Sequence, residues 1–133
     1  MDEPLFLTLD EVLQLHAYQI EKFGGDPAIR DIGLLESAIH QPQAAWHYGQ
    51  ADMAAIAAAY LYHIVQNHPF VDGNKRTGAH AAIAFLAMNN LEADYPVDEA
   101  EQLTLGVASN QIKKDGLIQF FRRLLQLPGG EGP

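Results

Sequence analysis

The sequence contains no cysteine and few basic residues. Its 133 residues include 17 acidic and 8 basic side chains, which give a formal net charge of -9. Without cysteine the chain can form neither disulfides nor thiolate metal sites, which fits a protein of the reducing cytoplasm. The acidic balance argues against direct nucleic-acid binding through a broad basic surface.

Long hydrophobic runs are also missing. No apolar stretch reaches membrane-spanning length without a polar interruption, and the acidic residues 1–4 lack the basic start of a signal peptide, so no membrane association is predicted. Hydrophobic residues nevertheless make up 48% of the chain, which is too high for a disordered protein. We predict a single domain over residues 1–127 and a disordered tail over residues 128–133.

Helical patterns account for most of the chain and predict an all-α bundle of about six helices, with at most a short strand or flap. The first helix should begin at a capping box on Thr8 and end before Gly24. His16 falls near its apolar face, where a buried, hydrogen-bonded histidine is expected. Pro42 is expected to end the second helix near His40, which would leave an aromatic-rich connector.

Two alanine-rich helices are predicted at the centre of the bundle, one over residues 52–67 with Asp52 as its N-cap and one over residues 78–90. Each is apolar on nearly all sides, which is typical of a buried helix. Residues 98–101 form a second candidate capping box, and Asp115 and Gly116 open the predicted last helix.

A polar stretch, His68–Thr77, separates the two central helices and reads HPFVDGNKRT. Pro69 disfavours the helical conformation at His68, and the Asp-Gly and Gly-Asn pairs are typical of turns. Asn74 is a plausible N-cap for the helix that follows. The stretch therefore predicts a tight loop between two buried helices, with the Phe70 ring as its structural anchor.

The start of the second central helix suits an anion. Backbone N–H groups are free there, and Gly73 permits close approach by a ligand. Lys75 and Arg76 place two cations at the positive end of the helix dipole, where cations are unfavourable. A bound phosphate is the simplest explanation for those two side chains.

Two further groups predict phosphate chemistry at this place. Asp72 offers a carboxylate for Mg²⁺ held jointly by protein and nucleotide. His68 can accept a proton near neutral pH. A plain turn with a solvated cationic face would explain each group singly but not their coincidence within nine residues. A zinc site is not predicted, because His63 and His68 are not spaced by four residues.

The stretch 68–76 matches every specified position of the signature HxFx(D/E)(G/A)N(G/K)R and so resembles the Fic/Doc family. Residues 23–27, FGGDP, and 31–39, DIGLLESAI, are similar to the N-terminal half of Doc-type toxins. The resemblance covers about residues 5 to 126. It implies the Fic-type helical fold and a reaction in which ATP, with Mg²⁺, modifies a protein hydroxyl.

The residue at position 75 separates two kinds of transfer within that family. Members with glycine there mostly transfer AMP, whereas Lys75 implies the Doc-type reaction, with the γ-phosphate of ATP beside His68. The resemblance then implies that His68 is the base for a target Thr or Ser hydroxyl and that Asp72 binds Mg²⁺. It also implies that the backbone of residues 73–75, together with the side chains of Asn74, Lys75 and Arg76, neutralises the transferred phosphoryl group.

The resemblance also suggests partners. The implied target is elongation factor Tu, with arrest of translation as the result. Residues 41–51 would form the flap that aligns the target, by strand addition. The alternative is a surface loop whose Trp46 covers the core. The inhibitory motif (S/T)xxxE(G/N) of autoinhibited relatives is not found in the sequence, so inhibition in trans by a Phd-type antitoxin is expected.

Two other functions stay open at this point. One is AMP transfer in spite of Lys75, and the other is a catalytically idle module that only binds an antitoxin. Intact His68, Asp72 and Arg76 argue against the idle module. His80 lies one turn beyond Arg76 and can face the site, but the sequence leaves its role open.

Overall fold

The computed structural model describes residues 2–92 and 94–127. It contains six helices: α1 Leu9–Phe23, α2 Ile32–Gly49, α3 Met53–Asn67, α4 Asn74–Met88, α5 Val97–Ala108 and α6 Lys114–Leu124. Within those residues the only strand-like pairing is a single antiparallel bridge between Ile29 and Phe70. The predicted all-α architecture is confirmed. The predicted disordered tail, 128–133, lies outside the described residues.

Helix α3 forms the centre of the bundle. It packs against α2, α4, α5 and α6, and α1 packs against α4. Its buried side chains point in all directions around the helix, as its composition predicts: Ala54, Ile56, Ala57, Ala58, Ala59, Tyr60, Leu61, Ile64 and Val65. The small alanine side chains let four helices approach α3 closely, so the loop that follows α3 starts from a rigid support.

Two of the predicted helix caps are confirmed. The Thr8 hydroxyl accepts from the N–H of Glu11 at 3.1 Å, and the Glu11 carboxylate accepts from the N–H of Thr8 at 2.9 Å. Asp52 caps α3 by accepting from the N–H of Ala55 at 2.9 Å. The residues that begin α1 and α3 are therefore those expected from the pattern.

The capping box predicted at residues 98–101 is wrong. Helix α5 begins at Val97, after Pro96, and has no side-chain cap. The earlier start places Asp98 and Glu99 inside the first turn, where their negative charges interact favourably with the positive end of the helix dipole. The acidic pair therefore belongs to the helix itself and not to its cap.

The predicted break at Pro42 is also wrong, because α2 continues through it to Gly49. Leu35, Ala38, Ile39 and Pro42 are all buried, and their spacing places them on one face of the helix. A proline inside a helix costs about 3 kcal/mol. Pro42 itself is buried, and Trp46, one turn further on, packs against the core. Burial of these apolar side chains stabilises the continued helix and offsets the cost of the proline.

The continuous helix has a consequence for the predicted flap. Residues 41–49 belong to α2 and have no extended backbone to offer a target protein. Trp46 is half-buried and packs against the core, in agreement with the alternative expectation that it covers the core. No helix of the described chain is both long and apolar enough to cross a membrane.

Candidate active site

The loop between α3 and α4 places His68 at the end of α3. His68 has a left-handed backbone, with φ 49° and ψ 54°, and its N–H still donates to the carbonyl of Ile64 at 3.2 Å. Residues other than glycine seldom adopt this conformation. The change of direction ends the helix and leaves the imidazole exposed.

Phe70 anchors the loop to the core of the bundle, as predicted. Its ring is fully buried and lies parallel to the ring of His16, with 3.6 Å between the centroids and 6° between the planes. His16 is itself buried, and its Nε2 lies 2.8 Å from the carbonyl oxygen of Asp72. A carbonyl oxygen only accepts, so Nε2 carries the proton. The expected buried, hydrogen-bonded histidine is confirmed, and it holds the backbone of Asp72.

Asn74 is not the N-cap of α4, so that prediction is wrong. Gly73 caps the helix, with φ 84° and ψ 13°, and Asn74 is the first helical residue. The Asn74 side chain is buried and bonds both backbone groups of Phe70: its Oδ1 accepts at 3.0 Å and its Nδ2 donates at 2.8 Å. Its amide therefore closes the loop, and its backbone N–H belongs to the helix start.

A segment that the sequence analysis did not connect with the site runs along the other side of the loop. We call residues 25–31 the clamp segment. Its backbone follows the loop through three hydrogen bonds: Ala28 accepts from the N–H of Val71 at 3.1 Å, and Arg30 and Asp31 donate to the carbonyl of Pro69 at 2.7 and 3.0 Å. Two features of the sequence draw attention to this segment. They are the Gly24-Gly25 pair and the similarity of the neighbouring residues to Doc-type toxins.

The clamp segment also contacts Asp72. The N–H of Asp26 donates to Oδ2 of the Asp72 carboxylate at 2.7 Å. Gly25 approaches so closely that an added Cβ would lie 3.0 Å from the Asp72 Cβ. One carboxylate oxygen is thus held by the backbone, while Oδ1 is left for another ligand.

Two cavities meet at the start of α4. The smaller, about 260 Å³, is lined by His68, Asp72 and Lys75 among others. The larger, about 780 Å³, is lined by Lys75, Arg76 and His80 together with apolar side chains of α4 and α5. Lys75 lines both, so it stands between the predicted base and the larger cavity. Gly73 and Asn74 share that position.

Arg76 does not line the smaller cavity with His68. Its guanidinium lies over the ring of Phe23, 4.0 Å from Cζ to the ring centroid, and both residues face the larger cavity. This cation–π contact fixes the guanidinium plane. The sequence singles out Phe23 only through the FGGDP stretch of residues 23–27 and does not connect its ring with the site.

His80 faces the larger cavity, as its spacing from Arg76 allows. Burial lowers its pKa from the usual 6.5, and the positive charges of Lys22 and Arg76 lower the pKa further. The imidazole is therefore neutral at neutral pH and offers this cavity one donor and one acceptor.

The start of α4 offers a strong anion site. Gly73 provides no capping side chain, so the backbone N–H groups of the first turn point outward without an intrahelical partner. Lys75 and Arg76 are exposed in that turn. A phosphate chain would satisfy both the N–H groups and the two cations.

The donor set suits a metal that is shared with a nucleotide. In the described chain no group of three metal-ligating side chains occurs, which argues against an all-protein metal site there. A single carboxylate oxygen beside a phosphate site is the arrangement that Mg²⁺ commonly uses, with phosphate and water oxygens as its other ligands. Asp72 fits that requirement through Oδ1.

Comparison with known proteins agrees with this geometry. A family model described as the Fic/DOC family matches residues 6–86. The chain is 33% identical over 119 residues to "Protein kinase doc" of Escherichia phage P1, covering 89% of this chain and 94% of that protein. It is 42% identical over 100 residues to "Toxin Doc" of Mycolicibacterium smegmatis, covering 71% of this chain and 76% of that protein. The chain belongs to the Fic/DOC family, as its central motif indicates.

Proposed function

We propose that the protein is a Doc-type toxin that transfers the γ-phosphate of ATP to a Thr or Ser hydroxyl of a protein target. The observation that carries the proposal is the position of Lys75, between the cavity that holds His68 and Asp72 and the larger cavity beside it. The names of the two relatives, a protein kinase and a toxin, support the same activity.

The two cavities favour one orientation of the nucleotide. A volume of about 780 Å³ lined partly by apolar side chains suits an adenosine. The smaller cavity, about 260 Å³, suits a phosphoryl group. With adenosine in the larger cavity, the triphosphate runs past Lys75 and its γ-phosphate arrives beside His68. AMP transfer would require the α-phosphate at that place.

The proposed reaction then needs few groups. The target hydroxyl attacks the γ-phosphorus, the bond from that phosphorus to the bridging oxygen breaks, and ADP leaves. His68 takes the hydroxyl proton. Lys75 and the free N–H groups of the first turn of α4 stabilise the charge on the phosphoryl oxygens. Arg76, in the larger cavity, offers its charge to the rest of the triphosphate. Mg²⁺, bound at Asp72 and the phosphates, would neutralise further charge.

The target and the regulator follow from the family resemblance. We propose elongation factor Tu as the target, with arrest of translation in the cytoplasm. We further propose that a Phd-type antitoxin inhibits the protein by folding a helix into the larger cavity. Exposed Phe23, Val97 and Leu105 line that cavity and offer an apolar face to such a helix.

A labelling experiment tests this function. The purified protein is incubated with Mg²⁺ and elongation factor Tu, and separately with cell lysate, using ATP labelled at the γ- or the α-phosphorus. We expect label from the γ-position alone, and none with the His68→Ala variant. Transfer of the α-label would favour AMP transfer, and an absence of transfer from either position would favour the idle module.

Co-expression with the antitoxin should restore growth, and equal growth with and without it would contradict the proposed regulation.

A further inference from the structure

Arg30 contacts the end of α3 through its side chain. Its Nε donates to the carbonyl of His68 at 2.6 Å, and its Nη2 donates to the carbonyl of Asn67 at 2.9 Å. Its own N–H donates to the carbonyl of Pro69 at 2.7 Å. A single residue of the clamp segment therefore binds three successive carbonyls around the predicted base.

These carbonyls need an outside donor. The last carbonyls of a helix have no partner within it, and they form the negative end of the helix dipole. A guanidinium supplies two donors in a rigid plane together with a positive charge, which makes such bonds short and strong. The two short contacts of Arg30 agree with that chemistry.

The contacts also bear on an unfavourable backbone conformation. His68 has a positive φ of 49°, which a side chain with a Cβ adopts only where the surroundings hold it. The carbonyls that Arg30 binds lie on His68 and on the residue before it. Loss of the guanidinium would let the end of α3 relax and would change the direction of the imidazole.

We propose that Arg30 is a positioning residue for His68, an inference that rests on the proposed phosphoryl transfer. Among the described residues that line the two cavities, Arg30 does not occur. It acts through the backbone of His68, which it holds so that the imidazole faces Asp72 and Lys75. Arg30 therefore affects the rate of transfer and leaves nucleotide binding intact.

The first test compares three variants at saturating elongation factor Tu. In Arg30→Ala we expect kcat to fall about 10²-fold, the loss that a small misplacement of a reacting group can cause, with KM for ATP unchanged. The kcat of Arg30→Lys should lie between that of Arg30→Ala and that of the wild type, because lysine keeps the charge but not the planar pair of donors. The control is Arg123→Ala, which removes another exposed arginine, paired with Glu99 at 2.9 Å, and should leave kcat unchanged.

Rescue separates positioning from a general loss of folding. Guanidinium ion, at concentrations that do not unfold the protein, should restore part of the kcat of Arg30→Ala and should not affect Arg123→Ala. If Arg30→Ala does not fold, Arg30→Lys provides the kinetic comparison. An unchanged kcat in a folded Arg30 variant would overturn the proposal. A raised KM for ATP with an unchanged kcat would also overturn it, because Arg30 would then bind substrate.

An NMR measurement keeps the inference independent of the activity. The ¹³Cα and ¹³Cβ chemical shifts of His68 report its backbone conformation. In the wild type and in Arg123→Ala we expect the chemical shifts of a residue with left-handed backbone conformation. In Arg30→Ala we expect the chemical shifts of His68 to depart from those values. Unchanged shifts in Arg30→Ala would contradict the positioning role. If the wild type transfers no label, the proposed function fails, while these shifts still decide whether Arg30 holds His68.

Discussion

The backbone N–H of Asp26 donates to Oδ2 of Asp72 at 2.7 Å, although the two residues lie in distant parts of the sequence. The bond requires the chain to pass directly beneath the carboxylate, and Gly25, with φ 119°, makes this passage possible. The carboxylate is thereby oriented before any nucleotide binds. Its free oxygen, Oδ1, is the proposed ligand of Mg²⁺.

Replacing Gly25 by alanine should disturb that carboxylate. The added Cβ would lie 3.0 Å from the Asp72 Cβ, which is too close, so Asp72 must move. We expect Gly25→Ala to need a higher Mg²⁺ concentration for half-maximal transfer, because the metal ligand is displaced. The measurement is a Mg²⁺ titration of the initial rate at fixed ATP.

Gly24→Ala is the matched control. Gly24 also has a positive φ, 85°, but an added Cβ would meet no atom within 4 Å. Both variants should lose stability, by about 1–3 kcal/mol, because both positions have a positive φ that is strained for a residue with a Cβ. Only Gly25→Ala should change the Mg²⁺ requirement. Equal titration curves for the two variants would show that Asp72 is not held in this way.

His68→Ala should remove the base and leave the phosphate site. Loss of a general base typically costs about 10²- to 10⁴-fold in rate. We expect that loss in kcat, together with loss of toxicity, while ATP still binds and the protein still folds. Isothermal titration with a non-hydrolysable ATP analogue measures the binding. Near-normal transfer by this variant would show that the base is another group.

Acidification should destabilise the protein through His63. Burial, and then the charge of Lys114 at 2.9 Å, lower the pKa of His63 from 6.5 to about 4. Between these values the unfolded chain binds a proton that the folded chain does not, so stability falls as the pH falls. We expect the urea midpoint to drop between pH 7.5 and pH 5.

His63→Gln provides the comparison for this pH effect. Glutamine keeps an acceptor for Lys114 but cannot be protonated. The drop in the urea midpoint should therefore be smaller in the variant than in the wild type. His80 should maintain a residual drop, because its pKa is lowered as well. An identical drop in both proteins would assign the acid sensitivity to other groups.

Variants of Lys75 separate its charge from its size. Lys75→Gly should lose transfer of the γ-label and open the space that an α-phosphate would need, with some gain of α-label transfer. Lys75→Met keeps the bulk and removes the charge, so it should lose γ-label transfer without that gain. Transfer of the γ-label by Lys75→Met at the wild-type rate would show that the charge is not needed.

Local patterns predicted the helices that their own residues stabilise. The capping residues Thr8 and Asp52 and the all-round apolar faces of the central helices act within a few residues, so the sequence is sufficient to find them. Pro42 is the opposite case. Its cost is local and visible, whereas the burial that offsets it depends on how α2 packs against α3.

The same contrast between local signals and long-range contacts applies to the site. His68, Asp72 and Lys75 are close in sequence, and the turn signals between them were enough to predict a common loop. Asn74 was misread because an asparagine can cap a helix or bond a loop backbone, and the choice depends on where Phe70 lies. Asp26 and Arg30 bind the loop across about forty residues of chain, a separation that no local pattern can reveal.

The most direct test of phosphoryl transfer is the mass of the modified target. Intact-mass spectrometry of elongation factor Tu, after incubation with the wild-type protein, ATP and Mg²⁺, measures the group that is added. The account predicts an increase of about 80 Da, the mass of one phosphoryl group, since the γ-phosphorus is attacked. An increase of about 329 Da, the mass of AMP, would instead show attack at the α-phosphorus and would contradict the kinase assignment.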